Sequence, residues 1–586
     1  KDLNKIKGYS LFPPISLTTI AATALKRVDD VEIEILDLEY ELRKYFMENE
    51  KSELTAKDLL KNKIIDKMNE FQPDLVGISV VFSVAHKHAL EIANIVKETN
   101  PTTQVVCGGN HATFSHKRIL EKCPNIDYVF LYEGDDTFPL FLKYLKGEIK
   151  FEELKGIAWW DKTTNDVKSA PNAPLIHELD SLPIPEWNLV PIKKYQDYGR
   201  IGSMHRFGNG NAPSYVMQTV RGCVAACTFC SVRTFYGKGV RGYSAKRTLE
   251  EIDYLYNELG IRQLEIFDDD FTFNKERTLE ICNGLIKRNY DLIWAIQNGI
   301  RLGTLTDEVT HAMVLAKCRT VSIGVESGND TTLAIIRKPL TLKMLYEKTA
   351  IFQKYPDLYV KGNYMVGFPF ETDEQVMNTF KVAEDVGFDW NAFSVFRPLS
   401  GTPLFDKLDK DIQANLIDNQ KDVGYVAYDI VRKSKNRIAK ELQQSLLNPD
   451  ASQIYGDAIE EQMRQSLMHP EKSEDLKDDE HKSGKFDELV YRKNLEINFV
   501  KNKNLMGKII DKNVEIKSRD KGNTTGEYHF KLNKPQNLDR AIRDFEGIIE
   551  MREPNHAIAH YCLAKAYRFK GFDNLVQHHI NRVLDI

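Results

Sequence analysis

Three of the eight cysteines lie within eight residues, at Cys223, Cys227 and Cys230. The other five are scattered over the 586-residue chain, which is not the spacing of a disulfide framework. Thiolates this close can hold three irons of a 4Fe–4S cluster and leave the fourth iron open to a substrate or cofactor. The alternative is a zinc site whose fourth ligand would be Cys282, Cys318 or a histidine.

Acidic, basic and glycine-containing motifs recur further along the chain, each after a stretch that predicts a strand. The residues concerned are Asp268, Asp269 and Asp270, then Arg301, then Glu326 and Ser327, then Gly367 and Pro369. Each group also has a structural explanation. The aspartates could form a solvated loop, Glu326 could pair with Arg301 inside a barrel, and Gly367 and Pro369 could shape a turn.

Strand and helix patterns alternate through this part of the chain and predict an α/β fold. Strands are predicted at residues 214–219, 263–267, 292–297, 320–325, 359–366 and 391–396. Six such units in about 200 residues indicate a parallel barrel or part of one. Barrel enzymes keep their chemistry at the carboxyl ends of the strands, and the cysteine loop follows the first of these strands.

The first 150 residues predict a separate, doubly wound parallel sheet. Strands are predicted at residues 31–36, 75–81, 103–106 and 128–131, with a helix at 85–99. The continuous apolar run at 75–81 predicts a strand that is buried on both faces. Ligands of such sheets bind at the carboxyl ends of the strands, where residues 79–83, 108–111 and 133–135 fall.

Composition and hydrophobicity divide the chain into five predicted parts. These are a front domain (1–150), an irregular connector (151–212), a partial barrel (213–420), a helical or irregular accessory region (421–530) with a charged linker near 471–485, and C-terminal helices (531–586) that resemble a tetratricopeptide repeat. The last part covers little more than one repeat, which favours packing on the barrel over a binding surface, although a protein partner stays open.

Charge and hydropathy exclude several partners. The formal net charge is only −5 and no basic stripe stands out, so we expect no nucleic-acid partner. No apolar run reaches the roughly 20 residues that a membrane span needs. Residues 15–25 could pass for a weak signal peptide, but Pro13 and Pro14 and the polar Thr18 and Thr19 argue against it. Clustered free cysteines fit a reducing compartment, so we expect a cytoplasmic protein.

Taken together, the motifs resemble the radical S-adenosylmethionine (SAM) superfamily, in the branch that carries a cobalamin domain in front of the barrel. The resemblance spans roughly residues 10–420 and rests on the Cys-x3-Cys-x2-Cys spacing with Phe229 before the last cysteine, on the run Asp268–Asp270, and on the Gly-x-Glu-Ser-Gly and Gly-x-Pro-x-Glu motifs. It implies a 4Fe–4S cluster on the three cysteines. It also implies SAM-binding residues, namely Phe229, Asp268, Asp269, Arg301, Glu326, Ser327, Gly367 and Pro369.

The front domain resembles the cobalamin-binding domain of this branch. The similar motifs are the Pro13-Pro14 start, the Gly-Gly-Asn-His-Ala-Thr run that begins at Gly108, and the Glu-Gly-Asp run that begins at Glu133. The cobalamin-binding residues implied are Ser79, Val80, Val81, Phe82, Ser83, Gly108, Gly109, His111, Glu133 and Gly134. The Asp-x-His-x-x-Gly signature is absent, so we expect cobalamin without a histidine on cobalt and with residues 80–84 facing it.

The two adjacent glycines of this domain give an expectation about the nucleotide tail of cobalamin. Gly108 and Gly109 carry no side chain, which would let the nucleotide tail of cobalamin approach the backbone. The alternatives are a domain that keeps the fold without the ligand, or a nucleotide-binding domain. No Gly-x-Gly-x-x-Gly follows the first strand, which argues against dinucleotides.

The resemblance implies that the reduced cluster cleaves SAM to a deoxyadenosyl radical, for which an external electron donor such as flavodoxin or ferredoxin is needed. With cobalamin, the expected outcome is methylation of an unactivated carbon or phosphorus of a small molecule or lipid. The alternatives are oxidative cyclisation or ring rearrangement, and a non-catalytic cobalamin sensor or scaffold, against which the intact cysteine triad argues.

An RNA methylthiotransferase is also similar in layout, but Cys107 and Cys123 are too few for its second cluster. Substrate contacts are expected at residues 200–211, 236–243 and 397–470.

Overall fold

A computed structural model describes residues 11–49, 52–199 and 212–418, apart from 356, 369 and 409, together with residues 575 and 578. The accessory region, its charged linker and the tetratricopeptide-like helices therefore lie outside the described residues, except for those last two. The described ranges form a five-stranded sheet, a six-stranded sheet and a small two-stranded ladder. No helix within these ranges is long and apolar enough to cross a membrane.

The front sheet has the strand order β1-β2-β3-β4-β5. Its strands are β1 (Leu75–Ser79), β2 (Gln104–Gly108), β3 (Tyr128–Phe130), β4 (Ile157–Asp161) and β5 (Asp166–Ser169). The helices of this part are α1 (Ile15–Arg27), α2 (Leu38–Glu48), α3 (Ala56–Phe71), α4 (His86–Thr99), α5 (Asn110–Lys122) and α6 (Gly134–Leu145). The first three strands are parallel.

Alternation along β2 shows why helices cover both faces of this sheet. Val105 and Cys107 point into one buried cluster with residues of α3, α4 and α5, whereas Val106 points into the opposite cluster with Phe141 of α6. Successive side chains of a strand lie on opposite faces, so an apolar run needs cover on both. The predicted doubly wound arrangement is confirmed for this sheet.

The predicted strand at 31–36 is wrong, because residues 31–37 take no regular secondary structure. Val31 and Ile33 instead pack against Val28 of the α1 end and Leu142 of α6. Alternating apolar residues report a half-buried extended segment, and this one is buried against helices instead of pairing with a strand. As a consequence β1 is an edge strand, with Gly77 and Ser79 exposed, and the prediction that it is buried on both faces is also wrong.

Part of the predicted irregular connector is regular. β4 pairs antiparallel with β3, and β5 pairs antiparallel with β4, so the front sheet extends beyond residue 150. The turn between β4 and β5 is fixed locally, since Asp161 accepts a hydrogen bond from the Thr163 amide at 2.8 Å and Asn165 has a φ of 50°. Asn and Asp favour such turns because their side chains bond nearby backbone and tolerate positive φ.

The second sheet is parallel throughout, in the order β13-β12-β11-β10-β9-β6. Its strands are β6 (Ser214–Met217), β9 (Gln263–Ile266), β10 (Ile293–Ile300), β11 (Cys318–Glu326), β12 (Tyr359–Val366) and β13 (Trp390–Val395). All six predicted strands are confirmed. Each pairs with the next one in sequence, as in a barrel, and β6 and β13 remain as open edges, which gives a partial barrel.

Five of the helices between these strands begin after a residue whose side chain caps the first turn. Side-chain oxygens of Ser244, Asn274, Thr306, Thr341 and Thr372 accept hydrogen bonds from amides in the first helical turn. Ten helices follow α6 in the described ranges: α7 (Tyr195–Tyr198), α8 (Val232–Tyr236), α9 (Ala245–Asn257), α10 (Lys275–Arg288), α11 (Asp307–Leu315), α12 (Asp330–Ile335), α13 (Leu342–Phe352), α14 (Asp373–Val386), α15 (Pro403–Asp406) and α16 (Lys410–Asp418).

A short ladder closes the base of the cysteine loop. β7 (Val220–Arg221) pairs antiparallel with β8 (Arg241–Gly242), so the cysteines and α8 project from the end of β6 as one excursion. Gly222 has a φ of 93°, and a Cβ on it would lie 2.7 Å from the carbonyl oxygen of Gly239. The two arms of the excursion can approach this closely only because residue 222 is a glycine.

A second close approach joins β2 to the loop after β1. Gly109 has a φ of 107°, and a Cβ on it would lie 2.8 Å from the Val80 carbonyl oxygen. The amides of His111 and Ala112 donate to the carbonyls of Val81 and Val80, both at 3.3 Å. Gly109 thus allows the start of α5 to dock on the backbone of residues 80–81.

We predict that Gly109→Ala destabilises the front domain far more than Gly147→Ala. Gly147 also has a positive φ, 75°, but a Cβ there would meet nothing within 4 Å. In both variants the free energy of unfolding should fall by about 1–2 kcal/mol, because alanine disfavours a positive φ. In Gly109→Ala it should fall by roughly a further 1–3 kcal/mol, because the new methyl group overpacks against Val80. Thermal unfolding followed by circular dichroism checks this, and equal losses in the two variants would contradict the close approach.

Candidate functional site

The three cysteines lie on the loop between β7 and α8, with side chains that are neither fully buried nor fully exposed. The middle of this loop is fixed to the barrel, because the Thr228 amide donates to Ile336 at 2.9 Å and the Leu404 amide donates to Thr228 at 3.0 Å. Burial raises the pKa of the Cys227 thiol to about 12 and that of the Cys230 thiol to about 11, while Lys338 opposes both shifts.

The donor set fits an iron–sulfur cluster better than a zinc ion. Each thiol is free, and Cys227 is close enough to both other thiols for their charges to raise its pKa. Within the described ranges, no three histidine, cysteine or acidic side chains converge as a single metal ion requires. Cys282 and Cys318, which could have completed a zinc site, are buried in the barrel core. Three thiols without a fourth ligand suit a 4Fe–4S cluster with one open iron.

Asp268 supports the cysteine loop from below. Its fully buried carboxylate accepts hydrogen bonds from the Thr219 amide and hydroxyl and, at 2.9 Å, from the Val220 amide. Burial raises the pKa of Asp268 to about 6, against the opposing charge of Arg277. Asp268 thus holds the end of the preceding strand, and its contact with SAM stays a prediction.

Asp269 and Asp270 are placed differently. Asp269 is half-buried and accepts from the Gly222 amide at 2.9 Å through one oxygen, next to the first cysteine. Burial raises the pKa of Asp269 to about 6. Asp270 is buried and pairs with Arg301 at 2.6 Å. Asp269 therefore lies beside the cysteine loop, and Arg301 is near enough to Cys223 for its charge to oppose the burial that raises the pKa of that thiol. The contacts of Asp269 and Arg301 with SAM stay predictions.

Glu326 pairs with Lys338, not with Arg301, so the predicted alternative partner is wrong. The distance from Lys338 Nζ to Glu326 Oε1 is 2.9 Å. Glu326 has a φ of 69° where the pairing of β11 with β12 is irregular. Such strain collects at functional sites. A Cβ on Gly324 would lie 2.7 Å from both charged atoms, so this glycine makes room for the pair.

The Gly-x-Glu-Ser-Gly motif also fixes α14 to the barrel. Ser327 is buried, its hydroxyl lies 3.4 Å from that of Thr379, and a Cβ on Gly328 would lie 2.7 Å from the Asn378 carbonyl oxygen. The Ser327 side chain thus points toward α14, and its contact with SAM stays a prediction.

The Gly-x-Pro-x-Glu turn is held by its own glutamate. Glu371 is buried and accepts hydrogen bonds from the amides of Gly367 and Phe368, at 2.8 and 3.0 Å. The Phe368 ring lies 6.0 Å from the Phe229 ring, so this turn contacts the cysteine loop. Phe229 and the Gly367 turn therefore lie close together, and their contacts with SAM stay predictions, whereas Pro369 lies outside the described residues.

The loop after β1 presents apolar side chains at the edge of the front sheet. Val81, Phe82 and Val84 are 40%, 72% and 70% exposed. Ser79 is exposed and Ser83 half-buried, whereas Val80 is fully buried beneath them. Exposed apolar residues clustered at the carboxyl end of a strand mark a ligand surface. These residues fit a large, partly apolar cofactor such as cobalamin.

The other residues predicted to bind cobalamin are used for internal packing. The side of Gly108 where a Cβ would stand faces Phe130, Gly109 packs on Val80, and Gly134 packs on Ile20 of α1. These glycines therefore bring protein elements together, and their contact with the nucleotide tail of cobalamin stays a prediction.

His111, which the resemblance predicts to contact cobalamin but not its cobalt, is buried. Its ring nitrogens lie 2.9 Å from His86 Nδ1 and 2.8 Å from Ser83 Oγ. Burial lowers the pKa of His111 to about 3, so it is neutral and holds the loop after β1 in place.

Glu133 is buried where the two sheets meet, and its contact with cobalamin stays a prediction. It forms ion pairs with Arg221 and Arg241, both at 2.9 Å, and Asp135 pairs with Arg221 at 2.8 Å. All four side chains are nearly buried. The predicted cobalamin loop is thus joined to the cysteine loop of the second sheet.

Sequence reasoning did not assign Lys338, Arg241 or Asn110 the contacts that they make in the structure. Asn110 stands in the Gly-Gly-Asn-His-Ala-Thr run and Arg241 in the range 236–243, but neither was predicted to join the two sheets. Arg221 directly precedes Gly222-Cys223, and that adjacency was the one available signal.

Comparisons with known proteins agree with this geometry. Residues 4–142 match the B12 binding domain family, and residues 217–383 match the Radical SAM superfamily. The chain is 33% identical over 392 residues to "Uncharacterized methyltransferase PH0819" of Pyrococcus horikoshii, covering 67% of this chain and 81% of that protein. It is 30% identical over 398 residues to the cytidylyl-2-hydroxyethylphosphonate methyltransferase of Streptomyces wedmorensis, covering 62% of this chain and 71% of that protein.

The fold has a solved counterpart. The structure of the cobalamin-dependent SAM radical enzyme OxsB with aqua-cobalamin and SAM bound superposes with a TM-score of 0.56, covering 98% of this chain and 76% of that chain. Sequence identity is 16%, so this likeness concerns the fold.

We predict a pH-dependent contribution of Glu371 to stability. Burial raises the pKa of Glu371 from 4.5 to about 7. The unfolded chain therefore loses this proton at lower pH than the folded chain does, and stability should fall by about 3 kcal/mol between pH 4.5 and 7. Thermal unfolding across this range should show a smaller slope for Glu371→Gln, whose amide oxygen can still accept the two backbone hydrogen bonds. Identical pH profiles would contradict the assignment.

Proposed function

The chain belongs to the cobalamin-dependent radical SAM enzymes, and we propose that it methylates an unactivated carbon or phosphorus atom of a small molecule in the cytoplasm. One observation carries the proposal. The cysteine loop and the apolar loop of the front domain are held at adjoining strand ends, since Asn110 of α5 donates to Ser231 at 3.3 Å. Transfer between two cofactors and a substrate needs this proximity.

The names of the two relatives, which are both methyltransferases, support methyl transfer as the reaction. Cys223, Cys227 and Cys230 would hold the cluster, and the exposed side chains of Val81, Phe82 and Val84 would contact cobalamin. When bound, the cluster supplies the electron that cleaves SAM, and cobalamin supplies the methyl group.

The chain's own residues would bind and orient SAM. The Asp269 carboxylate suits the amino group of SAM, because a charge-assisted hydrogen bond is strong in a half-buried site. Arg301 and Lys338 bring positive charge to the same side of the barrel, where the SAM carboxylate would find it. Phe229 and the Gly367 turn would cover the adenine and exclude water. Substrate contacts are proposed at residues 200–211, 236–243 and 397–470, of which 200–211 and 419–470 lie outside the described residues. A flavodoxin or ferredoxin as electron donor completes the proposal.

The first experiment is anaerobic reconstitution of the full chain with iron, sulfide and hydroxocobalamin, followed by reduction with SAM and mass spectrometry. We expect deoxyadenosine and S-adenosylhomocysteine together, because methyl transfer consumes a second SAM. The control is the triple variant Cys223→Ala, Cys227→Ala, Cys230→Ala, which should form neither above background. Deoxyadenosine without S-adenosylhomocysteine would overturn methyl transfer and favour cyclisation or rearrangement, and deoxyadenosine from the triple variant would overturn the cluster assignment.

We predict that the Glu326–Lys338 pair tunes the cluster potential. A positive charge near a cluster favours its reduced form, so Lys338→Met should lower the midpoint potential by on the order of 50 mV. Glu326→Gln should raise it by a similar amount. Spectroelectrochemical titration checks both shifts, with iron content as the control for loading.

The double variant separates charge from distortion. It leaves the net charge unchanged, so its potential should return close to that of the parent protein. A double variant that shifts as far as Lys338→Met alone would show that packing and not charge sets the effect.

A further inference from the structure

The front domain and the second sheet meet in a buried group of four charges. Asp135 contacts Arg221 through both carboxylate oxygens, at 2.8 and 3.0 Å. Glu133 bridges Arg221 and Arg241 at 2.9 Å, and none of the four side chains is more than 11% exposed. Two carboxylates and two guanidinium groups cancel in charge, so every buried ion has a partner.

The electrostatics of this group fix its ionisation. Burial alone would raise the pKa of Asp135, but the Arg221 guanidinium and its hydrogen bonds outweigh burial, and the net pKa is lowered. The pKa of Arg221 is correspondingly raised well above its usual value by Asp135 despite burial. Both groups are charged, and the two parallel hydrogen bonds fix the plane of the guanidinium.

Arg221 is placed two residues before Cys223, so this contact fixes one end of the cysteine segment. At the other end, Asn110 donates to Ser231, which directly follows Cys230. Just beyond, the Phe235 ring of α8 packs 6.2 Å from Phe114 and 6.0 Å from Tyr132.

The front domain therefore grips the segment on both sides of the three cysteines. The barrel contributes separate contacts, to Gly222 through Asp269 and to Thr228 through Ile336 and Leu404.

We infer that Glu133 and Asp135 are positioning residues for the cysteine loop, and that the loop reaches its cluster-holding geometry only while the front domain is docked. The two acids form no hydrogen bond with any of the three cysteines and act through Arg221 and Arg241. The loop that ends β3 and the loop that carries the cysteines then move as one unit, which keeps the cobalamin edge and the cluster in register. This inference does not depend on which group the enzyme transfers.

The test is hydrogen exchange with mass spectrometry on the full chain, without added iron or cobalamin. In Asp135→Asn, amides of residues 222–236 should exchange roughly ten times faster, because local opening of the loop becomes easier. Peptides covering Gln104–Gly108 and Cys318–Glu326 should keep their parent rates. Glu133→Gln, which leaves the Asp135 pair intact, should show a smaller effect in the same peptides.

The matched control is Asp136→Asn. Asp136 lies on the same helix and pairs with Arg27, but that pair is about one third exposed. Its loss should not change exchange in residues 222–236.

A second readout uses the reconstituted protein. For Asp135→Asn, kcat/KM for SAM cleavage should fall about 100-fold, as expected when a reacting centre is displaced by roughly 1 Å. Cobalamin absorbance should be unchanged. Arg221→Lys keeps the charge but loses the bidentate contact, so its kcat/KM should lie between that of the parent protein and that of Asp135→Asn.

Parent-like exchange of the loop in Asp135→Asn would overturn the inference. So would faster exchange throughout both sheets, which would mean that the acids stabilise the whole fold and do not position the loop.

Discussion

The front sheet and the parallel second sheet are joined beyond the ends of their strands by a neutral group of four buried charges. Glu133 and Asp135 come from the end of β3, and Arg221 and Arg241 come from the ladder that closes the cysteine loop. Isolated buried charges are costly, so each side of this contact requires the other. The position of the cysteine loop relative to the loop after β1 follows from that requirement.

The acidic residues at the end of β9 illustrate how one motif divides its work. Asp268 holds the end of β6, Asp269 holds Gly222, and Asp270 holds Arg301. Three consecutive carboxylates would repel one another in one place, but alternation along the chain sends them to different partners. Only Asp269, which is half-buried, keeps the exposure that a ligand contact needs.

Glycines contribute mainly through close approach of backbone segments. Gly109 admits Val80, Gly222 admits Gly239, and Gly328 admits α14. In each case a methyl group would collide with a backbone atom at under 3 Å. A glycine-rich sequence motif at the edge of a sheet can therefore reflect the packing that shapes the edge, while exposed neighbours such as Phe82 provide the surface.

The six parallel strands of the partial barrel, the cysteine triad and the family could all be predicted from the amino-acid sequence. The reason is that the apolar pattern of a buried strand and the spacing of thiol ligands are local properties of the chain. The sequence pattern misassigned residues 31–36 and 157–169, where the neighbouring element decides whether an extended segment becomes a strand. The partners of Glu326, Glu133 and His111 became known only from the folded structure, because each partner lies on a different element of the fold. Long-range ion pairs leave no periodic trace in a sequence, since either partner can come from any loop that folding brings to the same edge.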